Sequence, residues 1–512
     1  MLDNVANLVL TIGLLAGGFG FPASFAVRYM LPGTALGVLA GDLAFTWMVF
    51  RLARRSGRDD ITAMPLGLDT PSTIGMVLFV LGPAFLDAQR RGLGSEDAAR
   101  FAWHIGMAAI VASGVIKLIC ALAAGAIRQV IPRAGLLGSL TSIALVLISF
   151  LPLLDLAALP IVGIVSLTII LATLVGRVPL PGRVPGALAA TMLGVVVFYL
   201  LRAAGWVPES HATEALKPEL ALLWPRPTLS WVGALEESLA YLPVVVPFAL
   251  ATVIGGIDCT ESAAAAGDEY HTGTVIAVEG VATLIAGLCG GVIQTTPYIG
   301  HPAYKAMGGR ALYTLAAALF VGGAGMFGYF AYLYLWIPKA AIFPILIFVG
   351  LEITAQSFHA TPVRHFPAVA LACVPALAYL VLIFADPLLA EAGKTVDTLN
   401  RPEFGVQLQT IRTLSGGFII TSLLWASTLA ALIDQRLRAA GGFLAVASVA
   451  TLFGVIHSPL AGSAMFVPWN LPQLPAAAAG QTPIDLAIAY GLSAALLLVW
   501  GQLRQATPHG AG

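Results

Sequence analysis

The sequence predicts an all-α polytopic membrane protein with about 14 transmembrane spans, arranged as two inverted repeats of seven spans each. The first observation is composition: 58% of the 512 residues are hydrophobic and 10% are charged, against roughly 45–50% and 25% in soluble domains. The second is that apolar runs of about 20 residues, enough to cross a bilayer core of roughly 30 Å, recur from residue 4 to residue 504. The third is a pair of proline steps that occurs twice in the same order.

The repeated feature is a Thr-Pro step followed by an Ile-Pro-basic-Ala step. Thr70-Pro71 precedes residues 131–134 in the first half, and Thr296-Pro297 precedes residues 337–340 in the second. By our span count, the Thr-Pro step falls in the third span of each half and the Ile-Pro step at the start of the fifth. Because each half has an odd number of spans, the second copy is predicted to be inverted, as in many secondary transporters.

Apolar runs and flanking charges define the individual spans. In the first half they lie near 4–28, 33–54, 71–86, 101–127, 135–152, 157–176 and 186–204. In the second half they lie near 233–261, 273–290, 297–308, 311–336, 340–357, 365–386 and 411–433, and further apolar stretches lie near 442–457 and 484–503. The predicted organisation is a first repeat at 1–205, a connecting loop at 206–230, a second repeat at 231–435 and a C-terminal apolar extension at 436–512.

The third span of each half is predicted to be broken. Pro65, Gly67 and Pro71 cannot share an uninterrupted helix, so the chain should be extended before a half-helix with Thr70 as its N-cap and Pro71 as its first residue. In the second copy, Thr296 would be the cap and Pro297 would open a short helix. Half-helices that start within the membrane direct unpaired N–H groups and partial positive charge at its centre. Two of them would form a site for a polar or anionic small molecule, whereas the alternative is a pair of simple proline kinks.

The candidate solute-binding residues surround these breaks. They are Asp69, Thr70, Pro71, Ser72, Thr295, Thr296, Pro297, Tyr298 and His301. The imidazole of His301 could hydrogen-bond a solute or carry a proton, with a packing role as the alternative. Asp69 could equally cap the half-helix that follows it.

Carboxylates inside predicted spans are the candidates for proton coupling. Asp258 and Glu261 are three residues apart and therefore share a helix face, where a carboxylate pair in low dielectric tends to hold a proton. Glu352, deep in the twelfth span, is the third candidate. The alternative for the pair is that its face already reaches cytoplasmic water, since Asp268 and Glu269 follow closely.

Other function classes find little support in the sequence. The formal net charge is zero, with no basic face to attract nucleic acid. The four cysteines lack metal-ligand spacing, and the motifs of intramembrane enzymes do not occur. We therefore expect no metal, no cofactor and no enzyme activity, and we place the chain in the cell (inner) membrane.

The segment from Gly280 to Tyr298 carries a resemblance to a known family. Its end, Gly290-Gly291-Val292-Ile293-Gln294-Thr295-Thr296-Pro297-Tyr298, is similar to the glycine-rich approach to the Thr-Thr-Tyr step of the xanthine/uracil (nucleobase/ascorbate) permeases, distant relatives of the sulfate permeases. The resemblance extends over about residues 5–435. It implies fourteen spans in two inverted repeats, a core domain of spans one to four and eight to eleven that carries the solute, and a gate domain of the other spans that forms a homodimer.

Two departures from that family bear on the solute. Gly300 stands where the family has an acidic residue after the Thr-Thr-Tyr step, and Gly255 falls near the acidic position of the eighth span. We predict a secondary active transporter of a small polar solute, nucleobase-like by resemblance and coupled to protons or sodium. The alternative is an anion carrier of the sulfate permease type, which the missing acids and the two helix starts favour.

Overall fold

The computed structural model describes residues 2–130, 132–207, 220–225, 227–298, 301–306, 308–394, 398–399, 401–460, 465–466, 468–469 and 482–506. Within these residues the chain is helical apart from its loops and one two-stranded sheet. Ten described helices are long and apolar enough to cross a membrane, or twelve when each of two bent pairs counts as one span. The all-α polytopic class is therefore confirmed, while the number fourteen and the inverted relation of the halves stay predictions.

The elements of the first half alternate long helices with short breaks. In chain order they are α1 (Leu2–Phe19), α2 (Ala23–Ser56), β1 (Leu66–Leu68), α3 (Thr70–Arg90), α4 (Ser95–Val130), α5 (Arg133–Ala158), α6 (Pro160–Val175) and α7 (Gly186–Ala203). The predicted first span, 4–28, is too long. Gly20 has a φ of +68° and Pro22 precedes α2, so the helix ends at Phe19 although the apolar run continues.

The second half follows the same alternation as far as Trp336. Its elements are α8 (Leu242–Ala265), α9 (Thr272–Leu288), β2 (Thr295–Pro297), α10 (His301–Ala306), α11 (Leu312–Met326) and α12 (Phe330–Trp336), followed by α13 (Lys339–His359), α14 (Val363–Leu389), α15 (Pro402–Ser415), α16 (Phe418–Ile433), α17 (Leu437–Leu452) and α18 (Thr482–Ala506). Both stretches of the C-terminal extension are thus helical.

The chain divides into two compact units. The first contains Met1–Ile127 and Ile148–Val349, and the second contains Arg128–Leu147 and Gly350–Gly512. The family resemblance implies that spans six and seven belong with the gate, but the contacts group α6 and α7 with the first unit. The reason is an apolar cluster in which Val162 and Phe198 pack with Ala340 and Ala341.

The first unit holds the sheet, and α2 packs closely against the chain that leads into β2. A Cβ atom at Gly33 would lie 2.3 Å from the carbonyl oxygen of Cys289 and 2.3 Å from the nitrogen of Gly291. Only glycine allows this approach of helix and backbone. The contact fixes the position of the chain just before β2.

In the second unit, small residues let α16 pack against neighbouring helices. Ala426 and Ala430 of α16 form a buried cluster with Ala134 of α5 and with Ala368 and Ala372 of α14. Small residues at such crossings are typical of membrane helices, because they let backbones approach.

Candidate functional site

The two broken spans meet in an antiparallel pair of strands, β1 and β2. Their register pairs Leu66 with Pro297, Gly67 with Thr296 and Leu68 with Thr295. All six residues are buried. The extended segments predicted before the half-helices are therefore present, and they contact each other.

Glycine is required at the centre of β1. A Cβ atom at Gly67 would lie 2.5 Å from ring carbon Cε2 of Tyr298 and 2.6 Å from Oδ1 of Asn4. No larger side chain fits without displacing these groups. The absence of a side chain at Gly67 therefore allows the tyrosine ring and α1 to close over the strand.

Side chains and loops satisfy the backbone of this irregular segment. Asn4 Oδ1 accepts from Leu68 N at 2.8 Å, and Tyr298 N donates to the Pro65 carbonyl at 2.8 Å. The Tyr298 hydroxyl contacts the Asp3 carboxylate and lies 2.9 Å from the Leu68 carbonyl oxygen. Non-helical backbone at membrane depth is tolerated only where protein or a polar cavity satisfies it, and here the protein does so.

The half-helix after β1 begins one residue earlier than predicted. Asp69, not Thr70, is the N-cap: its Oδ2 accepts from Ser72 N at 2.8 Å, and Thr70 and Pro71 are the first two helical residues. The Thr70 hydroxyl instead accepts from Asn7 Nδ2 at 3.0 Å. The carboxylate of Asp69 reaches the free N–H of the first turn, which is the capping alternative raised above.

The second half-helix begins later than predicted. Thr296 and Pro297 lie in β2 rather than at a helix start, and α10 begins at His301. The physical reason is that the hydrogen bond from Tyr298 N to Pro65 continues the pairing beyond Pro297, so the chain stays extended there. Residues 299 and 300, including the predicted departure at Gly300, lie outside the described residues.

Removing the cap gives a first test. Replacing Asp69 with alanine leaves the Ser72 N–H without its acceptor, and we expect a loss of about 0.5–2 kcal/mol in the free energy of unfolding. Replacing it with asparagine, which can also cap, should cost much less. Thermal unfolding of both purified variants measures the difference, and equal losses would contradict the capping role.

Behind β2, a lysine and a glutamate form an ion pair inside the first unit. Lys117 of α4 and Glu279 of α9 are 2.7 Å apart, and both side chains are fully buried. The Lys117 ammonium also donates to the Thr295 carbonyl at 2.8 Å and lies 3.4 Å from the Thr283 hydroxyl. One cation thus links two membrane helices to the backbone of β2.

Gly256 of α8 leaves room for this pair. A Cβ atom at Gly256 would lie 3.0 Å from Oε2 of Glu279, so a larger residue in α8 would crowd the carboxylate. Neither Lys117 nor Glu279 is among the predicted site residues. Each is a charged residue within an apolar run, which marks it in the sequence, but no sequence pattern pairs the two.

The charges around the strand pair do not balance among the described side chains. Asp69 interacts electrostatically with both Lys117 and Glu279, while the described ion pair of the lysine is with Glu279. A second unneutralised carboxylate is costly in a low-dielectric interior. Asp69 and Glu279 thus outnumber Lys117 among the described side chains of this region.

His301 contacts a different group of charges. The side chain of Asp268 is fully buried and accepts from Thr62 N at 3.0 Å, His301 Nε2 at 3.0 Å, Lys305 Nζ at 2.5 Å and Arg58 Nη2 at 3.3 Å. Asp268 was not a predicted site residue, since Gly267-Asp268-Glu269 has the composition of an ordinary polar loop. The structure places His301 at this Asp268 cluster, where it holds α10 to the two loops.

Neighbouring groups reinforce the Asp268 cluster. Arg58 donates to Asp60 from two nitrogens, and this guanidinium lowers the pKa of Asp60 to about 2. Burial raises the pKa of Tyr270, whose hydroxyl donates to the Thr62 carbonyl at 2.6 Å. At neutral pH, Asp60 is therefore ionised and Tyr270 remains a hydrogen-bond donor.

The predicted proton-coupling residues have mixed outcomes. Asp258 and Glu261 belong to α8, but their side chains lie outside the described part of the structure. Glu352 is exposed and accepts from Gln356 Nε2 at 3.2 Å, one turn along the same helix. The coupling role of all three stays a prediction.

Comparisons with known proteins give a fold-level likeness only. No family model matches the chain, and no curated protein matches it. The transmembrane domain of BicA, a cyanobacterium bicarbonate transporter, aligns at 16% identity with a TM-score of 0.44, over 70% of this chain and 96% of that one. The structure of SLC26A9 aligns at 12% identity with a TM-score of 0.48, over 75% of this chain and 60% of that one. Identities and TM-scores this low concern the fold alone and say nothing about the solute or about the role of any residue.

Proposed function

We propose that this protein is a secondary transporter that carries a small anion together with a coupling proton or sodium ion. The observation that supports it most is the pairing of β1 with β2, because two membrane segments that are broken at matching places contact each other through their extended residues. Broken spans of this kind are the usual binding elements of secondary transporters. The solute would bind at the backbone around Thr70–Ser72 and Thr296–Tyr298.

An anion suits the described site better than a neutral nucleobase. A nucleobase needs acceptors for its ring N–H groups, and leaving one unsatisfied costs about 1–3 kcal/mol. The carboxylates at the strand pair are already engaged: Asp69 caps α3, Asp3 contacts Tyr298 and Glu279 pairs with Lys117. An anion needs no such acceptor.

Charge balance supports coupled transport rather than free anion conduction. Asp69 and Glu279 outnumber Lys117 at the strand pair, so an anion alone would add to an existing negative excess. Co-binding of a proton or sodium ion removes that excess before the solute arrives. Symport is the transport mode that this arrangement favours.

A thermal-shift screen tests the solute class. Purified protein would be heated with sodium sulfate, sodium bicarbonate, uracil or xanthine, with sodium gluconate at equal ionic strength as the control. A bound solute at a concentration of 100 Kd stabilises by about 2.7 kcal/mol, so we expect a raised midpoint with at least one of the two inorganic anions. Stabilisation by uracil or xanthine alone would overturn the anion proposal in favour of the nucleobase alternative.

A further inference from the structure

One buried carboxylate of the first unit has no role in the site described so far. Asp42 lies in the middle of α2, its side chain is fully buried, and neither carboxylate oxygen has a hydrogen-bond partner among the described residues. A different face of α2 exposes Leu43, Trp47 and Phe50, as expected of a lipid-facing surface. Asp42 therefore points into the protein, at membrane depth.

The neighbourhood of Asp42 is β1. The carboxylate faces the backbone N–H of Leu66, the first residue of that strand. A Cβ atom at the adjacent Gly41 would lie 2.9 Å from both terminal carbons of the Leu66 side chain, so α2 packs directly on the strand here. The carboxylate is thus adjacent to one of the two strands that form the candidate solute site.

No described cation neutralises this group. Among the described residues, the titratable neighbours that interact electrostatically with Asp42 are Tyr304 of α10 and Tyr313 of α11. The Tyr313 hydroxyl is already donated to the Ala63 carbonyl at 2.7 Å. The nearby Thr46 hydroxyl lies 2.7 Å from the backbone carbonyl of Asp42, not from its carboxylate.

We propose that Asp42 is a proton-carrying site, with its carboxyl group protonated in this conformation. An ionised carboxylate deep in the membrane costs at least about 2.5 kcal/mol, and a fully buried acid whose oxygens have no described hydrogen-bond partner avoids that cost by taking up a proton. The proton comes from water on one side of the membrane and returns to water on the other, leaving the carboxylate. The identity of the solute does not enter this argument, but the use of the proton rests on the proposed coupled transport.

The position beside Leu66 gives the proton a means of acting on the solute site. The ionised carboxylate would accept a charge-assisted hydrogen bond from the Leu66 N–H, which is stronger than the bond that a neutral carboxyl accepts. The two charge states therefore favour different positions of β1. By thermodynamic linkage, a solute that binds at the strand then alters the proton affinity of Asp42, and protonation of Asp42 alters the affinity for that solute.

Infrared difference spectroscopy tests the site without any solute. Protein in lipid nanodiscs would be titrated from pH 5 to pH 9, and the carbonyl stretch of protonated carboxyl groups would be followed in wild type, Asp42→Asn, Asp42→Glu and the exposed-carboxylate control Glu96→Gln. We expect a band at low pH that disappears reversibly as the pH rises, is absent in Asp42→Asn, is shifted in Asp42→Glu and is unchanged in Glu96→Gln.

Two results would overturn the proposal. If wild type and Asp42→Asn have the same carboxyl band, Asp42 is ionised and its counter-charge has been missed. If the Asp42 band persists at every pH, the group is a permanently neutral packing residue. The pH titration of the wild type decides between a proton-carrying role and a packing role even if a variant fails to fold. The carboxyl band and its pH dependence are also measured without a solute, so they can be interpreted even if the thermal-shift screen finds none.

Discussion

Replacing Lys117 with methionine is expected to lower the free energy of unfolding by about 3–5 kcal/mol, because it leaves a buried carboxylate without its partner. The ammonium is fully buried, lies 2.7 Å from Glu279 and donates to the Thr295 carbonyl of β2. Methionine keeps most of the length of the lysine side chain but has neither its charge nor its donors. Thermal unfolding of the purified protein in detergent measures the loss.

A double variant separates the charge effect from packing. In Lys117→Met combined with Glu279→Gln, the orphaned charge is gone, so most of the lost stability should return. Lys394→Met, at an exposed lysine, is the matched control and should stay near the wild-type midpoint. If the double variant is no more stable than Lys117→Met alone, the ion pair is not the source of the effect.

Replacing Asp268 with alanine is expected to cost about 3 kcal/mol or more, because three cationic or ring donors and a backbone N–H lose a fully buried acceptor together. The control is Asp60→Ala, which removes a half-exposed partner of the same Arg58 and should lower the thermal midpoint much less, because solvent screens an exposed ion pair. The two thermal midpoints give the comparison. Equal losses would show that burial of Asp268 does not matter.

The Asp268 substitution should also alter transport. Asp268 holds His301 and Lys305, and these residues lie on α10, the helix that follows β2. Loosening α10 should weaken solute binding at the strand pair, which would appear as a raised KM for uptake in proteoliposomes. A folded Asp268→Ala variant with wild-type KM would mean that the cluster stabilises the loops without positioning the site.

The strands could be predicted from sequence because local chemistry determines them. Pro65, Gly67 and Pro71 exclude a continuous helix whatever the tertiary contacts are, and the structure has β1 at that place. The helix start in the second copy could not be placed, since Thr296-Pro297 has the same local signal as Thr70-Pro71. Pairing with β1, a contact distant in sequence, keeps those residues extended.

The contacts of the buried charged groups, by contrast, could not be predicted from the sequence. Sequence identifies Lys117, Glu279 and Asp42 as costly residues inside apolar runs, but it does not say which of them meet. The pairing of Lys117 with Glu279 depends on how α4 and α9 pack. The packing of α2 likewise buries the Asp42 carboxylate away from any described hydrogen-bond donor. Asp268 could not be identified from the sequence, because an acidic residue in a polar loop is common. Only its burial among four donors distinguishes it.

Uptake into proteoliposomes tests the central claim most directly. Purified wild-type protein would be reconstituted with an inward proton gradient or an inward sodium gradient, and the accumulation of radiolabelled sulfate, bicarbonate and uracil would be compared with that in protein-free liposomes. We predict saturable, gradient-dependent accumulation of an inorganic anion and none of uracil. Accumulation of uracil without either anion, or anion flux that ignores both gradients, would contradict a cation-coupled anion transporter.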